Sequence, residues 1–318
     1  MNRARLIALA LVTALVTPSG AATGERAACG AFLLRGVLDP ATGGSLAEKL
    51  HLDPDGIYLL KRGARDPVRV DVRDEAPVRE VALSPRGDRI AYTVLREISC
   101  DPSYGWRLPF LVVIDTTGAE IAAVPGVARF AWAPDGERLA IVYGRPDAEG
   151  GASDSLGVLD VGSHAGTTYP LRPAFVSWLD PHTLFLDRPG VVSLDLSKGK
   201  WVTRQRVGGF VSPDERYSFT VAGPTKVGND WTHADLTKPI EALLEGGRLE
   251  SPRPPFWVQG AERPHVLCIT TATPGAIYLV DVQKREVVRK IAGAGIAATP
   301  DAGAIIVYRD GQFVFEDL

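Results

Sequence analysis

With three cysteines, one methionine and no block of like charge in 318 residues, this chain offers little of what usually betrays a function. Cys29, Cys100 and Cys268 match neither a CxxC pair nor a Cys/His zinc spacing. The five histidines, His51, His164, His182, His233 and His265, never recur at metal-ligand spacing. No P-loop, GxGxxG or HExxH is present. The nearest approach to a GxSxG nucleophile elbow, Gly151-Ala152-Ser153-Asp154-Ser155, lacks its second glycine. The sequence therefore points to no catalytic residue, no metal and no cofactor. A net charge of -3 with scattered basic residues argues against nucleic acid or an anionic membrane surface as a main partner.

What is present is apolar mass and turn chemistry. Hydrophobic residues make up 45% of the chain, too many for a disordered composition. Against the single methionine stand 33 glycines and 24 prolines, which imply many turns and few long helices. At the N-terminus Arg3 and Arg5 precede an uncharged run, Leu6 to Val16, of signal-peptide length and too short to span a bilayer. Pro18 ends the run, and small residues follow it. Residues 1–22 are expected to be a signal peptide cleaved after Ala21 or Ala22, with residues 23–318 forming one exported domain, secreted or periplasmic. Without Arg3 and Arg5 the 35 basic residues fall to 33 against 38 acidic ones, a net charge of about -5. In an oxidising compartment Cys29 and Cys100 can pair as a disulfide, since both lie in irregular segments near turns. Cys268 lies in the apolar run His265-Val266-Leu267-Cys268-Ile269 and reads as a small buried hydrophobe.

Self-comparison decides the architecture. Val81-Ala82-Leu83-Ser84-Pro85-Arg86-Gly87-Asp88-Arg89-Ile90-Ala91-Tyr92 aligns without gaps on Phe130-Ala131-Trp132-Ala133-Pro134-Asp135-Gly136-Glu137-Arg138-Leu139-Ala140-Ile141. A third copy, Gly209 to Phe219 around Pro213-Asp214, lacks one turn residue. Looser copies run from Phe175 to Leu186, from Phe256 to Ile269 and from Gly295 to Val307. Each reads as a hairpin: an apolar strand, a turn opened by proline, and an apolar strand returning. A third strand follows, often ending in aspartate at Asp115, Asp160, Asp195 or Asp281, then a more polar fourth.

The turn positions Pro85, Pro134, Pro181, Pro213, Gly260 and Pro300 are 49, 47, 32, 47 and 40 residues apart, bracketing a propeller blade. The expected fold is an all-β propeller of four-stranded antiparallel blades, most buried first and most exposed last. Seven blades are expected, with six or eight as alternatives. The last repeat stops after three strands, and an N-terminal strand completing it would close the ring and remove its free edge.

The segments Leu83 to Ala91, Trp132 to Ala140 and Val211 to Asp214 resemble the WD40-like (PD40) repeats of the TolB-type β-propeller superfamily. The resemblance covers most of the mature chain and implies the fold, while related repeats serve both as binding modules and as gates beside hydrolase domains. The chain departs from true WD40 repeats in lacking Gly-His and Trp-Asp pairs.

Loop length suggests where function sits. Turns between first and second strands are short, whereas Arg96 to Pro109, Arg145 to Ser155 and Gly223 to Asp230 read as long connections between second and third strands, all on one face. Candidate binding residues are Tyr104, Trp106, Arg107, Arg145, Asp147, Lys226, Asn229 and Asp230. Two readings of Tyr104 and Trp106 stand: interface anchors, or side chains folded over a blade edge with Cys100 stapling the loop. His233 and Asp235 alternate on one strand, and Asp53 and Asp55 before Gly56 read as a turn. The leading expectation is a monomeric, non-catalytic binding or scaffold propeller for a protein, peptide or glycan of the cell envelope. The rival is an enzyme, a lactonase, lyase or glycan hydrolase, with three or more carboxylates or histidines converging on the central channel.

Overall fold

In the computed structural model the chain is nearly all β. The structure describes residues 30–34, 46–53, 55–72, 74, 76–98, 106–144, 153–171, 173, 175–187, 191–204, 210–211, 217–220, 223–227, 233–235, 240–244, 256–258, 266–271, 276–292, 295–299, 303–309 and 312–318.

These residues form seven antiparallel sheets that follow one another along the chain. The first joins β1 (Ala31–Leu33), β2 (Tyr58–Lys61) and β3 (Val68–Arg69), with helix α1 (Leu46–Lys49) after β1. The second joins β4 (Val78–Leu83), β5 (Arg89–Ile98), β6 (Trp106–Asp115) and β7 (Glu120–Pro125). The third joins β8 (Val127–Trp132), β9 (Arg138–Gly144), β10 (Ser153–Asp160) and β11 (Gly166–Tyr169). The fourth holds β12 (Phe175–Asp180), β13 (Thr183–Asp187), β14 (Val191–Asp195) and β15 (Lys200–Arg204). The fifth holds β16 (Phe210–Val211), β17 (Tyr217–Thr220), β18 (Gly223–Val227) and β19 (His233–Asp235). The sixth holds β20 (Phe256–Trp257), β21 (Val266–Thr271), β22 (Ala276–Asp281) and β23 (Glu286–Ala292). In the seventh, β24 (Gly295–Ala298), β25 (Ala304–Arg309) and β26 (Gln312–Asp317) are the described strands. β1, the first of the N-terminal strand-like runs, pairs with β2 in the first sheet.

Period-two alternation explains how the sheets stack. On β5, Ile90 and Tyr92 pack toward the first sheet with Ile57 and Leu59, while the intervening Ala91 packs toward the third with Leu139 and Ile141. On β6, Val112 and Ile114 face the first sheet, and Leu111 and Val113 the third. Ala140 and Val142 likewise pack against Leu184 and Leu186 of the fourth sheet. Phe32, Leu34, Leu46 and Tyr58 of the first unit pack with Ile306 of the last. Both faces of a sheet are thus covered by its neighbours, and the first strands of neighbouring sheets touch at the hub: β1 on β4, β8 on β12, β16 on β20. Consecutive meanders stacked face to face with converging first strands define a β-propeller.

Burial differs from expectation in one respect. The first strand β4 is half open, whereas Ile90, Ala91, Leu111, Val112 and Val113 of the second and third strands are fully buried. A hub strand presents one edge to the channel, while the middle strands are covered on both faces and both edges.

The repeated turns carry the repeated residues. The Ser84 carbonyl accepts the Gly87 N–H at 2.8 Å, and the Ala133 carbonyl accepts the Gly136 N–H at 2.9 Å. Proline opens each turn and glycine closes it at φ 75° and 70°, conformations that side chains resist. The aspartates ending third strands build the opposite hairpins: Asp115 accepts from the Thr117 amide, Asp160 from Ser163, Asp195 from Ser197 and Asp281 from Lys284. The Ser197 hydroxyl and the Lys198 ammonium hold the Asp195 carboxyl down at about 2.

Candidate functional site

Two features stand at the end of the propeller away from the Pro-Asp-Gly turns. The first is a ribbon. β4 runs out at the pair Val78 with Val94, and β7 at Phe110 with Pro125. β5 and β6 continue alone through Leu95 with Pro109, Arg96 with Leu108, Glu97 with Arg107 and Ile98 with Trp106. Residues 96–98 and 106–109 of a segment expected to be loop are therefore strand, satisfying their backbone polar groups by cross-strand pairing. Trp106 and Arg107 belong to this ribbon; Tyr104 and Cys100 lie outside the described residues.

The ribbon is braced at its root. The Arg96 guanidinium donates to both oxygens of Asp74 at 2.8 and 3.1 Å and to Glu120 at 3.0 Å, and packs over the Phe110 ring. The Tyr92 hydroxyl donates to Asp74 at 2.6 Å. Burial pushes the Asp74 carboxyl up, but the Arg96 and Tyr92 hydrogen bonds and the Arg96 charge outweigh it and leave it below its ordinary value. Burial and Asp74 together push the Tyr92 phenol up. Asp74, on the connection between the first and second sheets, so clamps that connection to the ribbon's base.

The second feature is a cleft of about 250 Å³ at the hub, lined by Glu80, Ala128, Arg129, Phe130 and Val176. These residues come from the first strands β4, β8 and β12. Register breaks between Val78 and Val81 and between Val127 and Arg129, so both Glu80 and Arg129 stand at irregularities of the ladder. The Glu80 amide donates to the Thr93 hydroxyl at 3.1 Å. Surrounding protein raises the Glu80 carboxyl, and the Arg129 charge opposes that rise. Among the described lining residues Glu80 is the one carboxylate and Arg129 the one cation.

Most of the remaining expected residues lie outside the described residues. Arg145 and Asp147 lie outside the described residues, while Ser153 to Ser155 belong to β10. Gly223 to Val227 is a strand, not a loop: Thr220 pairs with Gly223, leaving residues 221 and 222 as the connection. Asn229 and Asp230, between β18 and β19 in the chain, lie outside the described residues. Lys226 pairs with Ala234 on the intervening ladder, and His233 and Asp235 flank it. Cys29 and Cys100 both lie outside the described residues, and Cys268 is a free, buried thiol on β21. Asp53 accepts the Asp55 amide at 3.0 Å and pairs with Arg69, as a turn residue would. Among the described residues no group of three His, Cys, Asp or Glu could hold a metal, and no helix is long and apolar enough to cross a membrane.

The sequence signal for the cleft lay in the repeat itself. Extending the alignment one residue upstream of Val81 and Phe130 places Glu80 opposite Arg129.

No known protein family and no curated protein matches the sequence. Solved structures resembling the chain include the dihydro-heme d1 dehydrogenase NirN, at 16% identity and TM-score 0.45, covering 90% of this chain and 64% of that one. The β-propeller domain of the trilobed protease from Pyrococcus furiosus matches at 12% identity and TM-score 0.44, covering 76% and 80%. Kuenenia stuttgartiensis hydrazine synthase matches at 13% identity and TM-score 0.45, covering 93% and 98%. This chain thus spans under two thirds of NirN. Similarity at these levels says nothing of activity.

Proposed function

We propose that this chain is an exported, monomeric propeller of seven blades that binds a protein, peptide or glycan of the cell envelope without chemistry of its own. The observation that carries the reading is the β5–β6 ribbon, which past Leu95 and Pro109 pairs with no other described strand and is fixed at its root by the Asp74–Arg96–Glu120 cluster. A ribbon braced at its root, with Glu97 exposed, presents backbone and side-chain groups to a partner at reduced ordering cost. The PD40-like repeats support a place among TolB-type propellers, and the Arg3, Arg5 and Leu6 to Val16 pattern supports export. The binding residues on this reading are Tyr104, Trp106 and Arg107, with Arg145 and Asp147 from the neighbouring blade.

The test replaces Tyr104, Trp106 and Arg107 together with alanine in the full chain. Partners that co-purify with the wild type should be lost while the unfolding midpoint stays put. Unchanged co-purification would contradict the reading.

A further inference from the structure

We infer that the hub cleft between β4, β8 and β12 is a binding site for a small zwitterion of the α-amino-acid type with an apolar side chain. This goes beyond the ribbon reading and does not depend on it.

Val78-Arg79-Glu80-Val81-Ala82-Leu83 and Val127-Ala128-Arg129-Phe130-Ala131-Trp132 occupy the same strand of adjacent blades, so Glu80 and Arg129 hold equivalent positions of opposite charge. Both line one cleft, and both are exposed to solvent there. Neither makes an ion pair with the other or with any further described charge, although Arg129 is near enough to act on the Glu80 carboxyl. Opposite charges close enough to feel each other, yet unpaired, leave room for a ligand that carries both.

The cleft's chemistry divides accordingly. Arg129 presents a planar fork suited to a carboxylate, which an ammonium cannot use. Glu80 accepts from an ammonium group. Phe130 and Val176, packed mainly into the neighbouring blade cores, give the cleft a narrow apolar floor, with Ala128 beside it. A volume of about 250 Å³ admits a single amino acid. The ladder irregularities at Glu80 and Arg129 strengthen the case, since bulges re-aim side chains and recur beside functional sites.

The experiment uses the full chain and three probes: L-leucine, 4-methylpentanoate, which lacks the ammonium, and isopentylamine, which lacks the carboxylate. Calorimetric titration should show L-leucine binding at least about tenfold tighter than either analogue. Glu80→Gln should remove that advantage over 4-methylpentanoate while leaving the latter's binding unchanged. Arg129→Met should do the same with respect to isopentylamine. Absence of L-leucine binding at millimolar concentration, equal binding of the analogues, or variants that bind as the wild type would each overturn the inference. If either variant fails to fold, the wild-type comparison of the three probes decides alone. Loss of the ribbon partner in the proposed-function test leaves this outcome untouched.

Discussion

The indole N–H of Trp132 donates to the carbonyl oxygen of Ala82 at 3.2 Å, and 46 residues further on Trp178 repeats the bond to Ala131 at 3.0 Å. Each tryptophan, on the first strand of one blade, thus ties itself to the first strand of the blade before. A hub strand has an unpaired edge, and this bond takes up one of its carbonyls.

Trp132→Phe should therefore destabilise the protein by about 1–3 kcal/mol, the cost of a lost hydrogen bond and an orphaned carbonyl. Trp178→Phe should cost a similar amount, and the two should nearly add because they act on different blade pairs. Urea unfolding of both single variants and the double variant measures this.

The ribbon brace should be acid-sensitive. The folded Asp74 carboxyl lies below its ordinary value, so the unfolded chain takes up the proton first. Its stabilisation is complete above the ordinary carboxylate range and fades as pH falls through the lower folded value. Asp74→Asn should cost about 1–3 kcal/mol at neutral pH and progressively less near pH 3. Unfolding midpoints of wild type and variant across that range check the sign.

Two glycines separate steric from backbone strain. A Cβ at Gly136, φ 70°, would meet the flexible Arg86 side chain at 2.7 Å, whereas one at Gly118, φ 92°, would meet the Asp71 carbonyl at 2.3 Å. Both alanine variants should destabilise by at least about 1 kcal/mol. Arg86→Ala should relieve part of the Gly136→Ala penalty, and no side-chain truncation should relieve Gly118→Ala. Thermal denaturation distinguishes the two.

Burial pushes the Cys268 thiol well above its ordinary value. Iodoacetamide should leave Cys268 unmodified in the native protein and label it fully in denaturant, as mass spectrometry of the tryptic peptide would show.

Much of the fold was legible because its signals are local. The proline and glycine of Ser84-Pro85-Arg86-Gly87 and Ala133-Pro134-Asp135-Gly136 specify their turns directly, and the aspartates ending third strands cap their hairpins as short-range chemistry dictates. What escaped depends on partners distant in sequence. Asp74 reads as a loop acid until Tyr92 and Arg96 close on it. The ribbon was hidden because Arg96-Glu97-Ile98 is charged enough to pass for loop. Gly223-Pro224 reads as turn punctuation, yet both residues take ladder positions opposite Thr220 and Phe219. The hub cleft needed adjacent blades placed side by side before Glu80 and Arg129 could be seen as one constellation.

The most direct test of the binding reading is site-specific photo-cross-linking in intact cells. A benzoylphenylalanine at Glu97, exposed on the ribbon, is compared with one at Lys198, exposed on an Asp195 hairpin at the opposite end. The account predicts a discrete protein or glycan adduct from position 97, lost when Tyr104, Trp106 and Arg107 become alanine, and none from position 198. Adducts of equal yield from both positions, or from position 198 alone, would contradict it.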